Sequence, residues 1–145
     1  MSQKDLYSNI TVTSAFVPQA LSGTTNITSG AVIDTLGYDS LTFVLHTDAI
    51  AAADLNAQLL INEDTAIGMG SSNVVADADL IGTEALTQIG VGAVGDRAKR
   101  IGYKGNKRYV RCDLVVTANT GTDVVGCVAV LGHPTTAPTA ADAAG

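Results

Sequence analysis

The chain has no tryptophan, and aromatic side chains make up only 4% of its 145 residues. A core must therefore be assembled from Val, Leu, Ile and Ala. The flat aromatic platform that sugar sites use has few candidates: Tyr7, Phe16, Tyr38, Phe43, Tyr103 and Tyr109. Charge is also scarce, at 15% of residues against roughly a quarter in an ordinary soluble domain. A surface this poor in charge suits a chain covered by partners. Positive charge is scarcest, with eight Lys and Arg against fourteen Asp and Glu and a net charge of −6. That balance argues against nucleic acid as a partner, which needs Lys and Arg spread along a groove.

Other absences narrow the chemistry. The two histidines, His46 and His133, have no Cys, His or carboxylate at ligand spacing, so zinc is not expected. No G-x-S-x-G elbow is present, and neither histidine has a Ser or Cys partner in sequence; the chain is not expected to be an enzyme or to carry a cofactor. Gly90 to Gly95 fits G-x-G-x-x-G literally, but Gly102 and Gly105 follow too soon for the helix that a dinucleotide site requires. Glu63, Asp64, Asp77 and Asp79 have the oxygens of a calcium loop without a spacing that fixes their geometry, and read as solvated acidic loops. No apolar run follows Met1, which predicts a soluble cytosolic product, and the sequons at Asn9 and Asn26 then carry no meaning. The uncharged run from Val124 to Ala141 has the length of a membrane span, but Gly126, Gly132, Pro134 and Pro138 interrupt it. A strand and a tail fit better, with no membrane partner.

What the chain does have is alternation. Ile10, Val12, Ser14 and Phe16 share one face of a first strand near a sheet edge, which Pro18 is predicted to end. Ala31 to Ile33 is a short second strand, and Gly37 to Ser40 is a turn that launches Leu41, Phe43 and Leu45 on one face of the next. Asp48 to Ala53 reads as a helical turn in a loop. Leu55, Ala57, Leu59 and Ile61 form another alternating strand. Residues 65–96 read as glycine-rich loops with one or two short strands. Val110, Cys112, Leu114 and Val116 alternate again, and the apolar run from Asp123 to Leu131 is predicted to return beside them as a hairpin. Cys112 and Cys127 would then sit on its two strands, read as buried thiols in preference to a disulfide. The whole is predicted to be all-β: one jelly-roll-like β-sandwich over residues 9–134, with a polar arm at 1–8 and a flexible tail at 135–145.

Seven of the eight cations lie between Arg97 and Arg111. Arg97, Lys99, Arg100, Lys104, Lys107 and Arg108 are the candidate docking residues, placed to meet carboxylates on a partner or a neighbouring subunit. The competing reading is that the cluster neutralises its own acidic domain.

Two blocks resemble the head decoration, or cement, proteins of tailed bacteriophages: residues 37–47 (GYDSLTFVLHT), continuing to Asn62, and residues 99–111 (KRIGYKGNKRYVR), continuing to Val130-Leu131-Gly132-His133-Pro134. Ala51 to Ala53 and the glycine-rich middle depart from that pattern. The resemblance implies a β-sandwich homo-oligomer, a dimer or trimer, made in the host cytoplasm and carried on the capsid exterior, where it bridges subunits of the phage major capsid protein and stabilises the shell. Two rival classes are another virion part, such as a head–tail joining or tail protein, and a carbohydrate- or ligand-binding β-sandwich.

Overall fold

The structure is a computed structural model that describes residues 5–50, 52–90, 97–137 and 139, leaving aside the side chain of Arg97. Among these residues ten strands form: Ile10–Ala20 (β1), Val32–Asp34 (β2), Tyr38–Thr47 (β3), Asn56–Asp64 (β4), Asn73–Val74 (β5), Leu80–Ile81 (β6), Ile89–Gly90 (β7), Arg97–Tyr103 (β8), Tyr109–Ala118 (β9) and Val124–Pro134 (β10). The first sheet runs β1-β10-β3-β8-β6, and the second runs β2-β9-β4-β5 with β7 also on β4. Successive strands thus alternate between sheets as the chain proceeds, except that β4 and β5 share one. This is jelly-roll order, two Greek keys closed into a sandwich, with β5 and β7 sharing one strand's place.

Side-chain period sets the core. Directly opposed residues point the same way, so the inner face of the first sheet reads in rows: Leu131, Leu41, Tyr103 and Leu80; then Ala129, Phe43 and Ile101; then Phe16, Cys127 and Leu45. The second sheet answers with Leu59, Ile61, Val110, Cys112 and Leu114, all buried. At one end Tyr103 joins the layers, donating its hydroxyl to Glu63 Oε2 at 2.6 Å and accepting the Lys107 amide at 2.9 Å. A Cβ at Gly105 would lie 2.6 Å from that ring, so the loop after β8 closes only over glycine. Gly37, at φ +90°, makes the expected turn into β3.

Three expectations change. The first concerns β9 and β10, which belong to different sheets and form no hairpin. The loop between them crosses the end of the sandwich, where Asp54 accepts both the amide and the hydroxyl of Thr120, at 3.0 and 2.7 Å. A second concerns Pro18, which does not end β1; the strand continues to Ala20 at the sheet edge, where a missing amide is tolerated. A bulge between Ser14 and Phe16 turns Phe16 inward, away from the face of Ile10, Val12 and Ser14. The third is the set of strands itself, which gains a full strand, β8, at the start of the basic stretch, between β3 and β6.

Strand β4 has an unusual neighbour. Between its short pairings with β5 and β7, the amide of Leu59 donates to Thr87 Oγ1 at 3.0 Å and that of Ile61 to Glu84 Oε1 at 2.9 Å. The 3₁₀ turn Glu84–Thr87 therefore plugs the sheet edge with side chains. At the termini, Thr139 donates its amide to Ser8 O at 2.9 Å and its hydroxyl to Ile10 O at 3.0 Å.

Candidate contact surface

The outer face of the first sheet is built by the residues that the core rows skip. Register places Val12, Val130, Thr42, Gly102 and Ile81 in one row across all five strands. The next row holds Ser14, Val128, Val44 and Arg100, and beyond it lie Gly126, His46 and Ala98. Val12, Val124 and Val128 keep 39–40% of their surface open to solvent, so this face offers a β-branched plane on which Arg100 and His46 are the only ionisable side chains of the three rows. Two shallow depressions mark it. One, of about 410 Å³, lies along Val44, His46, Val124 and Val128, with Pro18 folded over Gly126. The other, of about 360 Å³, lies beside Asp5, Leu6, Ser40 and His133.

His133 takes a left-handed backbone, φ +51°, and its Nδ1 lies 3.0 Å from Ser40 Oγ. The pair ties the end of β10 to the start of β3. It closes the apolar rows at this end of the sheet with a polar border.

The six docking candidates do not form one patch. Arg97 and Tyr103 are six extended residues apart, roughly 20 Å, so β8 sends its first cations and those that follow it to opposite ends of the sandwich. Arg100 is exposed on the outer face, opposite Val44. Lys99 shares the inner side with Leu45 and is half-buried, and Arg97 pairs with Thr47 at the start of the strand. Lys104 and Lys107 lie in the loop beyond β8. Lys99, Arg100, Lys104 and Lys107 make no ion pair with any described residue. Arg108 is different: it grips Asp34 through Nε and Nη2 at 2.8 and 2.7 Å and lies 5.0 Å from the Tyr109 ring centroid. Its hydrogen bonds hold the Asp34 carboxyl below the usual carboxylate range. For Arg108, internal neutralisation is what the fold does.

The acidic quartet does not converge. Register sends Glu63 inward with Val110 and Asp64 outward with Tyr109. Asp64 accepts amides from Thr65, Ala66 and Ser71, which shape its loop and lower its pKa. Asp77 and Asp79 sit in a separate 3₁₀ turn. Of the glycine motif, Gly90 belongs to β7 and residues 91–95 lie outside the described residues. Among the described residues, no helix is long and apolar enough to cross a membrane.

Sequence reasoning missed the outer face, although a signal was there. A strand that is apolar on both sides reads as a continuous hydrophobic run, and the stretch from Val124 to Leu131 is such a run.

No protein-family model matches the chain, and no curated protein matches it in sequence. Several solved structures share its outline. The infectious bursal disease virus VP2 subviral particle is 13% identical, covering 89% of this chain and 33% of that one, with a TM-score of 0.47. The structure of the infectious bursal disease virus Gx strain is 10% identical, covering 86% and 32%, with a TM-score of 0.40. The Clostridium thermocellum xylanase 10B CBM22-1–GH10 modules, complexed with xylohexaose, are 12% identical, covering 93% and 28%, with a TM-score of 0.39. The chain spans a third or less of each of these proteins. None of these likenesses bears on what the chain binds, and the fold assignment rests on its strand order.

Proposed function

We propose that this chain is a non-enzymatic structural protein of a phage virion, one that decorates the capsid exterior as a homo-oligomer and bridges subunits of the major capsid protein. The observation that carries the reading is the outer face of the first sheet: three rows in which Val and other small or apolar residues surround His46 and Arg100, with cations at or beyond its margin that make no ion pair with described residues. Such a face suits broad, shallow contact with another protein. Arg100, Lys104 and Lys107 would orient the chain on an acidic partner, each ion pair contributing about 0–1 kcal/mol and the sum growing with the number of subunits engaged. The two sequence blocks that resemble decoration proteins support the same reading.

The test is sedimentation of purified protein with capsids assembled without it. The expected result is a fixed number of copies per particle, with occupancy that falls as salt rises. Replacing Arg100, Lys104 and Lys107 with Gln lowers occupancy at low salt and flattens the salt dependence, while Tm moves by only a few degrees. Protein that stays in the supernatant at every salt concentration rejects the reading.

A further inference from the structure

Among the described residues, β8 keeps part of one edge open. β6 covers it only where Leu80 and Ile81 pair with Tyr103 and Gly102, and Gly82, at φ +93°, then turns the chain away toward the 3₁₀ plug. Lys104 donates its amide to Asp79 O at 2.9 Å, and successive residues of a strand aim their backbone groups to opposite sides, so Gly102, Arg100 and Ala98 aim theirs toward the β6 side while Ile101 and Lys99 aim theirs at β3. Gly102 meets Ile81 there. Beyond it, the N–H and C=O of Arg100 and of Ala98 have no partner among the described residues, and both residues are exposed. Two donors and two acceptors thus repeat about 7 Å apart, on a strand whose pairing with β3 carries no register shift.

We propose that this edge of β8 is a docking site for an extended, acidic segment of a partner protein, which adds as a strand antiparallel to β8 and in line with β6. Charge chooses the occupant. Arg100 stands on the outer face beside the open groups, Lys99 lies next to it on the strand and Lys104 just past the strand's end, and none of the three makes an ion pair with a described residue. A carboxylate opposite Arg100 on the added strand makes a cross-strand ion pair. A second copy of the same edge is disfavoured, because pairing two β8 strands would set these cations against one another. Apolar groups flank the place where the added strand would begin: Ile81 is 63% exposed, and Leu86, beside Gly82, is 66% exposed. The site is a strand edge, distinct from the sheet face described above, and does not depend on what that face binds.

The deciding experiment titrates the full chain into a fluorescein-labelled peptide, Glu-Val-Glu-Val-Glu-Val, and reads fluorescence anisotropy; no capsid is present, so its outcome is separate from that of the sedimentation test. The expected result is saturable binding, at least about tenfold tighter than for the same peptide with Lys in place of Glu. A residue directly opposite Arg100 shares its outer face and aims its own backbone groups at β8, so the Glu amides are the ones that pair. N-methylation of the Glu amides should therefore weaken binding at least about tenfold, whereas N-methylation of the Val amides, which face away, should leave it. On the protein side, Ala98→Pro removes an open amide and no bond to β3; Tm should move by only a few degrees while affinity falls. Amide exchange at Ala98 and Arg100 should slow when the parent peptide binds. The proposal is overturned if the two methylated peptides bind alike, because charge alone would then hold the segment. Unchanged exchange at both amides overturns it too, as does an acidic peptide that stays free at every protein concentration.

Discussion

The two outer faces of this sandwich are made by the same backbone and finished differently. On the second sheet, Asp113 is buried beneath Arg111, whose Nε and Nη2 each reach it at 3.0 Å, and Asn62 donates to it at 3.0 Å. Asp34 and Arg108 close the same side at its edge. Polar groups there are matched within the chain. The first sheet presents Val12, Val128, Val130, Thr42 and Val44, with Arg100 at one side, and no described residue pairs with that cation. Jelly-roll topology demands apolar residues only on the inner faces. An outer face that is also apolar is the one on which the proposed contact rests, whereas the second sheet's face matches these polar groups within the chain.

The contrast can be broken from either side. The largest effect is expected from Asp113→Ala, which strands the Arg111 guanidinium and the buried Asn62 amide; it should cost about 2–3 kcal/mol, or roughly 5–10 °C in Tm, by urea and thermal unfolding. An undiminished midpoint would mean that this network is ornamental. Val128→Glu puts a charge in the middle of the apolar rows. It should change the stability of the isolated domain by about 1 kcal/mol or less, yet reduce capsid occupancy at least about tenfold, or 1.4 kcal/mol. Equal losses in folding and binding would show that the first sheet's face serves the fold alone. The smallest effect is pH-dependent. Because Arg108 depresses the folded pKa of Asp34, their pair stabilises above the ordinary carboxylate value of 3.8 and is lost as pH falls through the lowered folded value. Asp34→Asn should thus cost no more than about 1 kcal/mol at neutral pH, with the gap to the parent closing on acidification below about pH 4. A gap that widens in acid would reverse the sign of this account.

Much of this was legible in the residues, and the failures have physical causes. The alternation in Leu41 to Leu45, Leu55 to Ile61 and Val110 to Val116 gave both the strands and their buried sides, because burial on one face imposes period two. Register shifts leave no such mark: the bulge before Phe16 costs one residue of pairing and no change of composition. The false hairpin arose because a loop that returns in the same sheet and one that crosses to the facing sheet use the same Thr, Asn and Gly. Strand β8 was hidden by its cations. Its apolar inner positions, Ile101 and Tyr103, are only two, and Gly102 between them sits close beneath Ile81, whose nearest atom is 3.1 Å from where a Cβ would be. Of the docking residues, charge density alone could not separate Arg108, which is bound to a carboxylate 74 residues away, from Lys104, which is not.

The 3₁₀ plug on β4 bears on how this chain behaves when crowded. Sheets fuse end to end when one edge offers a row of idle donors to another. Here Thr87 and Glu84 have claimed the donors of Leu59 and Ile61. The long outer edge of the other sheet, β1, is broken by two register shifts and by Pro18. Many copies can therefore be crowded together without these two edges fusing into a continuous sheet.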